Sequence, residues 1–205
     1  MIELYTSATS NGRRASIMLE EIGVPYHVHP INLSKGEQRQ ATFLALNPAH
    51  GIPVIIDRDE SLAEPLVLSQ SVAILLYLAE KSKQFIPENM LVRAKMFQWL
   101  LFDATDITQV RLEGSRLGWN GQDDASKLLH ERVLSRYDVL EQHLSQNEYL
   151  AGDEYSIADM SAFPWASAME FDNRPSIARW LKHVGQRPAV QRGMLIPQSE
   201  QSHEN

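Results

Sequence analysis

The spacing of apolar residues divides the chain into two stretches of different character. In the first, short apolar runs alternate with segments of helical period. Ile2 to Tyr5 predicts a short strand, and Thr6 to Gly12 is a polar loop of turn and cap formers. Ala15, Met18, Leu19 and Ile22 then recur at i, i+3, i+4 and i+7, which predicts a helix stopped by Gly23. Tyr26 to Ile31 reads as a second strand, placed at an edge or near its own end by Pro30. A polar loop, Lys35-Gly36-Glu37-Gln38, leads to a short helix with Phe43, Leu44 and Leu46, closed by Asn47-Pro48. Val54, Ile55 and Ile56 form a β-branched run without polar alternation, as in a strand buried on both faces. A loop, a strand ending at Leu68-Ser69, and a helix from Ser71 to about Lys81 carrying Ile74, Leu75 and Leu78 complete this stretch. The order β-α-β-α-β-β-α implies a mixed sheet with helices packed on it.

Residues 82–90, with Pro87 and several polar residues, read as a linker, and beyond them the period is helical throughout. Met96, Trp99, Leu100 and Ile107 fall in one segment; Leu128, Leu129, Val133, Tyr137, Leu140 and Leu144 fall in the next. The fold class expected is therefore an α/β domain over residues 1–82 followed by an all-α helical domain over residues 91–198. Residues 199–205 carry no apolar side chain and are expected to form a flexible tail. Ser156-Ile157-Ala158-Asp159 has the form of a capping box, so Asp159 is read as a helix cap rather than a catalytic acid, opening a helix that runs toward Met169.

Composition narrows the chemistry. With 43% hydrophobic and 22% charged residues, the chain has an ordinary globular balance. A net charge of −7 argues against a general nucleic-acid binder. Cysteine is absent, which removes disulfides, thiolate metal sites and any mechanism that needs a protein thiol. The opening Met1-Ile2-Glu3-Leu4-Tyr5 lacks the features of a signal peptide, and no apolar run approaches the roughly 20 residues of a membrane span. The expectation is a cytoplasmic protein with no membrane partner. Metal is not expected either, since the seven histidines show no ligand spacing on a helix, and His27 and His29, on one strand face, are read as solvated.

One stretch, Ile52 to Ser71, has the makings of a ligand site. Pro53 lacks a backbone donor and restricts Ile52, which can leave the main chain of Ile52 facing outward. Gln70 and Ser71 stand where a helix begins, a ready place for a carboxylate. An extended peptide could pair with Ile52 as an added strand and place a carboxylate at Ser71.

These residues, in this order, resemble the cytosolic glutathione transferase family over roughly residues 1–197. The resemblance is carried by Asn47-Pro48 before Ile52-Pro53, by Gln70-Ser71-Val72-Ala73-Ile74-Leu75-Leu76-Tyr77-Leu78, by Ala151-Gly152-Asp153-Glu154-Tyr155-Ser156-Ile157-Ala158-Asp159, and by Arg187-Pro188-Ala189-Val190. Thr9-Ser10-Asn11-Gly12 and Lys35-Gly36-Glu37-Gln38 look closest to bacterial nu-class members, related to the family's disulfide-bond reductases. The resemblance implies a thioredoxin-like first domain, a homodimer, and glutathione as substrate. It also implies site roles: Thr9 and Asn11 around the glutathione sulfur, with Ser10 in the same loop; Gln38 at the glycine end; a cis Ile52–Pro53 bond aiming Ile52 at the cysteinyl residue; Gln70 and Ser71 at the γ-glutamyl end. Gln70 stands where the nu class usually has Glu, and Gly51 where a Lys is frequent.

The chemistry asked of that loop is modest. Bringing a thiol from about 8.5 to about 6.5 takes roughly 2.7 kcal/mol. A partly buried helix N-terminus supplies up to about 2 kcal/mol, and one hydrogen bond to a charged acceptor about 1.5–3 kcal/mol. No dedicated base is required. Tyr5 is read as packing, and Arg13 and Arg14, cations at the start of a helix, imply a partner in the ligand or the neighbouring subunit. The function expected is glutathione-dependent reduction of small disulfides or hydroperoxides, or attack on electrophiles. The alternative is a binding or regulatory protein of the same fold without turnover.

Overall fold

In the computed structural model, residues 1–198 are described; the tail expected at 199–205 lies outside them. Strand β1 (Ile2–Thr6) alternates buried and half-buried residues, burying Ile2, Leu4 and Thr6, and packs against helix α1 (Ser10–Ile22), beside which lies helix α3 (Ser71–Ser82). β1 pairs in parallel with β2 (Tyr26–Pro30) and antiparallel with β3 (Val54–Asp57), which pairs antiparallel with β4 (Leu66–Ser69). The sheet order β2-β1-β3-β4 is the mixed arrangement implied by the sequence pattern. β3, as its unbroken apolar run predicts, is buried along its whole length. Its last residue, Asp57, accepts from the Tyr77 hydroxyl at 2.7 Å and pairs with Lys81, which fastens α3 to the sheet. Between β2 and β3 lie a 3₁₀ turn (Glu37–Arg39) and the short helix α2 (Ala41–Leu44), which buries Phe43.

The chain divides into two compact units. Met1–Lys83 forms one with residues 186–198, and Gln84–Gly185 forms the other. The helical unit contains α4 (Met90–Phe102), a π-helical segment (Asp103–Thr108), α5 (Gln109–Trp119), α6 (Asp123–Leu144), α7 (Ile157–Ala166) and α8 (Pro175–Gly185). Helix α7 is shorter than the run toward Met169 that the sequence implied, and all ten of its residues are buried, so it forms the centre of the unit. The capping box is present. The Asp159 carboxylate accepts from Leu150 N–H at 3.0 Å, Ser156 N–H at 3.0 Å, Ser156 Oγ at 3.2 Å and Trp180 Nε1 at 2.9 Å. A group so enclosed is a cap and a core anchor. At the start of α8 the N–H groups of Ser176 and Ile177 donate to Glu141 of α6 at 2.9 and 2.8 Å, so the cap is supplied from another helix.

Helix α9 (Pro188–Met194) returns to the first unit, although the sequence pattern groups it with the other helices. It crosses α1 at a glycine: a Cβ on Gly193 would stand 2.6 Å from Ile17 Cα. Ser16 Oγ donates to Gly193 O at 2.7 Å, and Arg187 grips Glu21 through Nε at 2.6 Å and Nη2 at 2.9 Å.

Candidate functional site

The polar loop after β1 ends in a built helix start. Thr9 is the N-cap of α1, and its Oγ1 accepts from Gly12 N–H at 3.1 Å, leaving the hydroxyl hydrogen to donate elsewhere. Its own N–H is held by Ser7 O at 2.7 Å. Ser10 and Asn11 are the first two residues of the helix. Gly12 is buried, and a Cβ there would stand 2.2 Å from Ser7 O and 2.5 Å from Thr6 Oγ1, so only glycine lets the loop fold this tightly against the helix. The loop therefore directs Thr9, Ser10 and Asn11 to the positive end of α1.

Arg14, one turn on, is only 1% exposed. Its Nη1 donates to Asn11 Oδ1 at 2.8 Å and to Ser71 Oγ at 3.0 Å. Two places that the sequence treats separately, the first loop and the start of α3, are thus held by one guanidinium. The sequence signal was real: a cation at a helix start is out of place unless paired. For Arg14 those partners lie in its own chain, where the sequence reading looked to the ligand or a second subunit.

At the start of α3, Gln70 has φ +73° and ψ 110°, a conformation L side chains rarely adopt, and makes no side-chain cap. Its C=O still accepts from Ile74 N–H at 3.0 Å. Ser71, the first helical residue, is buried but for 8% of its surface. The Ile52–Pro53 bond is cis, and Ile52 makes no backbone hydrogen bond among the described residues. Gly51 O accepts from Asn47 Nδ2 at 2.8 Å, which secures the turn before it. Gln38 lies in the 3₁₀ turn, where its Nε2 reaches Leu33 O only at 3.4 Å and its Oε1 is buried without a partner, so its amide is weakly held. Arg14 joins two of the candidate residues, Asn11 and Ser71, through its hydrogen bonds.

The other residues weighed from sequence fall elsewhere. Tyr5 stacks on His29 with ring centroids 4.3 Å apart and donates to Glu3 at 3.1 Å. Burial and the Glu3 carboxylate push its phenol above the ordinary range, and its proton is committed to that carboxylate. His29 is not simply solvated, because Glu3 faces it at 3.2 Å across the strands. Among the described residues no group of three acidic or histidine side chains could hold a metal ion. In the helical unit Trp99 is core, stacked against His143, while Trp119 is 82% exposed. Arg111 lies over the Trp165 ring and donates to Trp165 O at 2.7 Å.

Comparison with known proteins meets this geometry from another side. Residues 9–81 match the family model described as the glutathione S-transferase N-terminal domain, and residues 123–189 match that of the C-terminal domain. The disulfide-bond oxidoreductase YfcG of Escherichia coli is 33% identical over 97% of this chain and 96% of its own. The disulfide-bond oxidoreductase YghU of the same organism is 32% identical over 99% of this chain and 79% of its own. A glutathione transferase from Pseudomonas putida, solved with one glutathione disulfide bound per subunit, superposes with a TM-score of 0.88 at 33% identity, covering 96% of this chain and 91% of that one. A Pseudomonas fluorescens family member with two glutathione bound gives 0.87 at 34% identity, covering 94% and 92%.

Proposed function

This chain belongs to the glutathione S-transferase family, and from that premise we propose that it binds glutathione between the first loop and the start of α3 and puts the thiolate to work on disulfides. The observation that carries the reading is the pair of hydrogen bonds from Arg14 Nη1 to Asn11 and Ser71, which brings the loop suited to a sulfur beside the helix start suited to a carboxylate. The Ile52 main chain, which makes no backbone hydrogen bond among the described residues, supports a peptide lying between them. Gln70 and Ser71 take the γ-glutamyl end, Ile52 the cysteinyl main chain, Gln38 the glycine end, and Thr9 and Asn11 the sulfur, with Ser10 in the same loop.

The absence of cysteine dictates the course of reduction. The bound glutathione thiolate attacks one sulfur of a small disulfide R–S–S–R; the S–S bond breaks, and RS⁻ leaves and takes up a proton. The resulting mixed disulfide is attacked by the thiolate of a second glutathione, which releases the other RS⁻ and forms glutathione disulfide. Two thiolates have been oxidised and one disulfide reduced, with no electron passing through the protein. A hydroperoxide is reduced by the same pair of thiols, giving an alcohol and water. An electrophile is attacked by the first thiolate alone. The enzyme's part is to hold the thiolate near neutral pH and present it.

We further propose a cytoplasmic homodimer. In its support, Leu91, Leu101, Leu128 and Val139 stand exposed on α4 and α6, apolar area that a second copy could cover, and no described helix is long and apolar enough to cross a membrane. The experiment that tests the function is a calorimetric titration with reduced and then oxidised glutathione, followed by turnover on small disulfides, hydroperoxides and electrophiles. Binding in the micromolar to low-millimolar range is expected, and the Thr9→Ala/Asn11→Ala double variant should lose at least about tenfold in turnover. No binding of either form at several millimolar would overturn the reading.

A further inference from the structure

Of the two cations that the sequence sets at the start of α1, Arg14 has found partners and Arg13 has not. Arg13 is half-buried. Its Nε is enclosed without a hydrogen-bond partner, and its side chain forms no ion pair among the described residues. Among those residues the other buried or half-buried arginines, Arg14, Arg93, Arg111, Arg136, Arg174 and Arg187, each meet an acceptor or a carboxylate. A charged N–H enclosed without a partner is unfavourable, and the positive end of the helix adds to the strain on a cation there. An anion arriving from outside the chain relieves both.

The place of Arg13 says which anion. Its N–H donates to Thr9 O at 2.9 Å, so it stands one turn beyond Thr9 on the same side of α1. A long helical side chain leans back toward the N-terminal turn, which lays the Arg13 guanidinium over Thr9. We propose that Arg13 binds a carboxylate carried by the substrate disulfide and so gives the enzyme a preference for anionic disulfides. The inference rests on the glutathione reading above. In that reading Gln70, Ser71 and Gln38 take the ends of glutathione, and Thr9 and Asn11 take its sulfur. The substituent of the disulfide under attack comes to lie beside that sulfur, and no residue has yet been given to it. A guanidinium is suited to the task, because its planar fork matches a carboxylate. With a net charge of −7 the chain as a whole repels anions, so a preference for them has to come from a local cation.

The test is a charge series. Turnover at saturating glutathione is measured with dithiodiglycolate, hydroxyethyl disulfide and cystamine, which are anionic, neutral and cationic. Each kcat/KM is divided by the uncatalysed rate of the same disulfide with glutathione. The unaltered protein should favour the anionic disulfide over the neutral one by about tenfold, with the cationic one last. In Arg13→Gln that preference should fall to about twofold or less, chiefly through a higher KM for the anionic disulfide. Arg13→Lys, a cation without the fork, should keep part of it. Added salt should narrow the preference in the unaltered protein and leave the Arg13→Gln ratio where it was. A preference absent from the unaltered protein, or intact in Arg13→Gln, overturns the proposal. So does an equal loss on all three disulfides, which would assign Arg13 to glutathione or to the fold. If the unaltered protein neither binds glutathione nor turns over the neutral disulfide, the functional reading fails and takes the inference with it. Should Arg13→Gln not fold, Arg13→Lys and the salt series decide, and a preference insensitive to both overturns the proposal.

Discussion

Removing the Asp159 carboxylate should unfasten the helical unit from its centre. In Asp159→Ala, three N–H donors lose their acceptor: Leu150 N–H, Ser156 N–H and Trp180 Nε1–H. Asp159, Ser156, Leu150 and Trp180 are each no more than 1% exposed, so water does not readily replace what is lost. A buried donor left unpaired costs about 1–3 kcal/mol, and three of them place the loss at no less than about 3 kcal/mol. For a chain of this size that corresponds to a fall in Tm of at least about 6 °C. Burial raises this carboxyl to about 6 against the pull of its donors, so the measurement belongs well above that pH, where the group is ionised. Asp159→Asn should be milder than Ala, because one amide oxygen can still serve two of the donors. Ser156→Ala, which removes only the cap, should cost about 1 kcal/mol. The assay is denaturant unfolding followed by tryptophan fluorescence. All four tryptophans, Trp99, Trp119, Trp165 and Trp180, lie within Gln84–Gly185, so the signal comes from the helical unit. A loss below about 1 kcal/mol in Asp159→Ala would mean that the four bonds are not the centre of that unit.

Three further outcomes follow from local geometry. Gly193→Ala drives a methyl against the Ile17 backbone and should cost about 1–3 kcal/mol, read by circular dichroism because α1 and α9 carry no tryptophan; an unchanged midpoint would show that the two helices separate freely. Gln70→Gly releases a side chain from φ +73° and should leave stability equal or slightly higher while weakening glutathione about tenfold or more, so undiminished affinity in calorimetry would remove Gln70 from the site. Burial alone would raise the Glu141 carboxyl, but the Ile177 and Ser176 N–H groups more than offset it and hold it below its ordinary 4.5. A carboxyl lowered on folding contributes stability that is present above its unfolded value and is lost as pH falls through the folded one, so the stability gap between the unaltered protein and Glu141→Gln should be steady near neutrality and close below about pH 4.5. A gap that widened in acid would contradict the assignment.

Much of this was legible because local chemistry and tertiary structure agree. Val54 to Ile56 could only be an interior strand, Ser156 to Asp159 could only open a helix, and Gly23 ends α1 at φ +66° as a left-handed cap should. Three features were not. The π segment Asp103–Thr108 contains neither proline nor glycine, and its turn is set by burying Asp103, Ile107 and Thr108 rather than by any local preference. The return of α9 to α1 depends on Gly193 meeting Ile17, a contact 176 positions away in sequence that no periodicity encodes. Arg14 could be seen as misplaced, but not paired, because its second partner, Ser71, is distant in the chain.

The same distance argues why the site has the form it does. A loop of small polar residues at a helix start binds many anions and distinguishes few of them. A second helix start, Gln70-Ser71, does the same. Specificity for a ligand with a thiol at one point and a carboxylate at another comes from the separation of the two, and separation is a property of the fold: α1 and α3 pack side by side on one face of the sheet. Arg14 sits between their first turns with one hydrogen bond to each, so it reads that packing directly. A chain with no cysteine must borrow any thiol it uses, and on the proposed reading that thiol arrives on a ligand lying across the two helix starts. On this account the donor loop alone, placed on another scaffold, would not select glutathione, and the selectivity lies in the α1–α3 pair that Arg14 bridges.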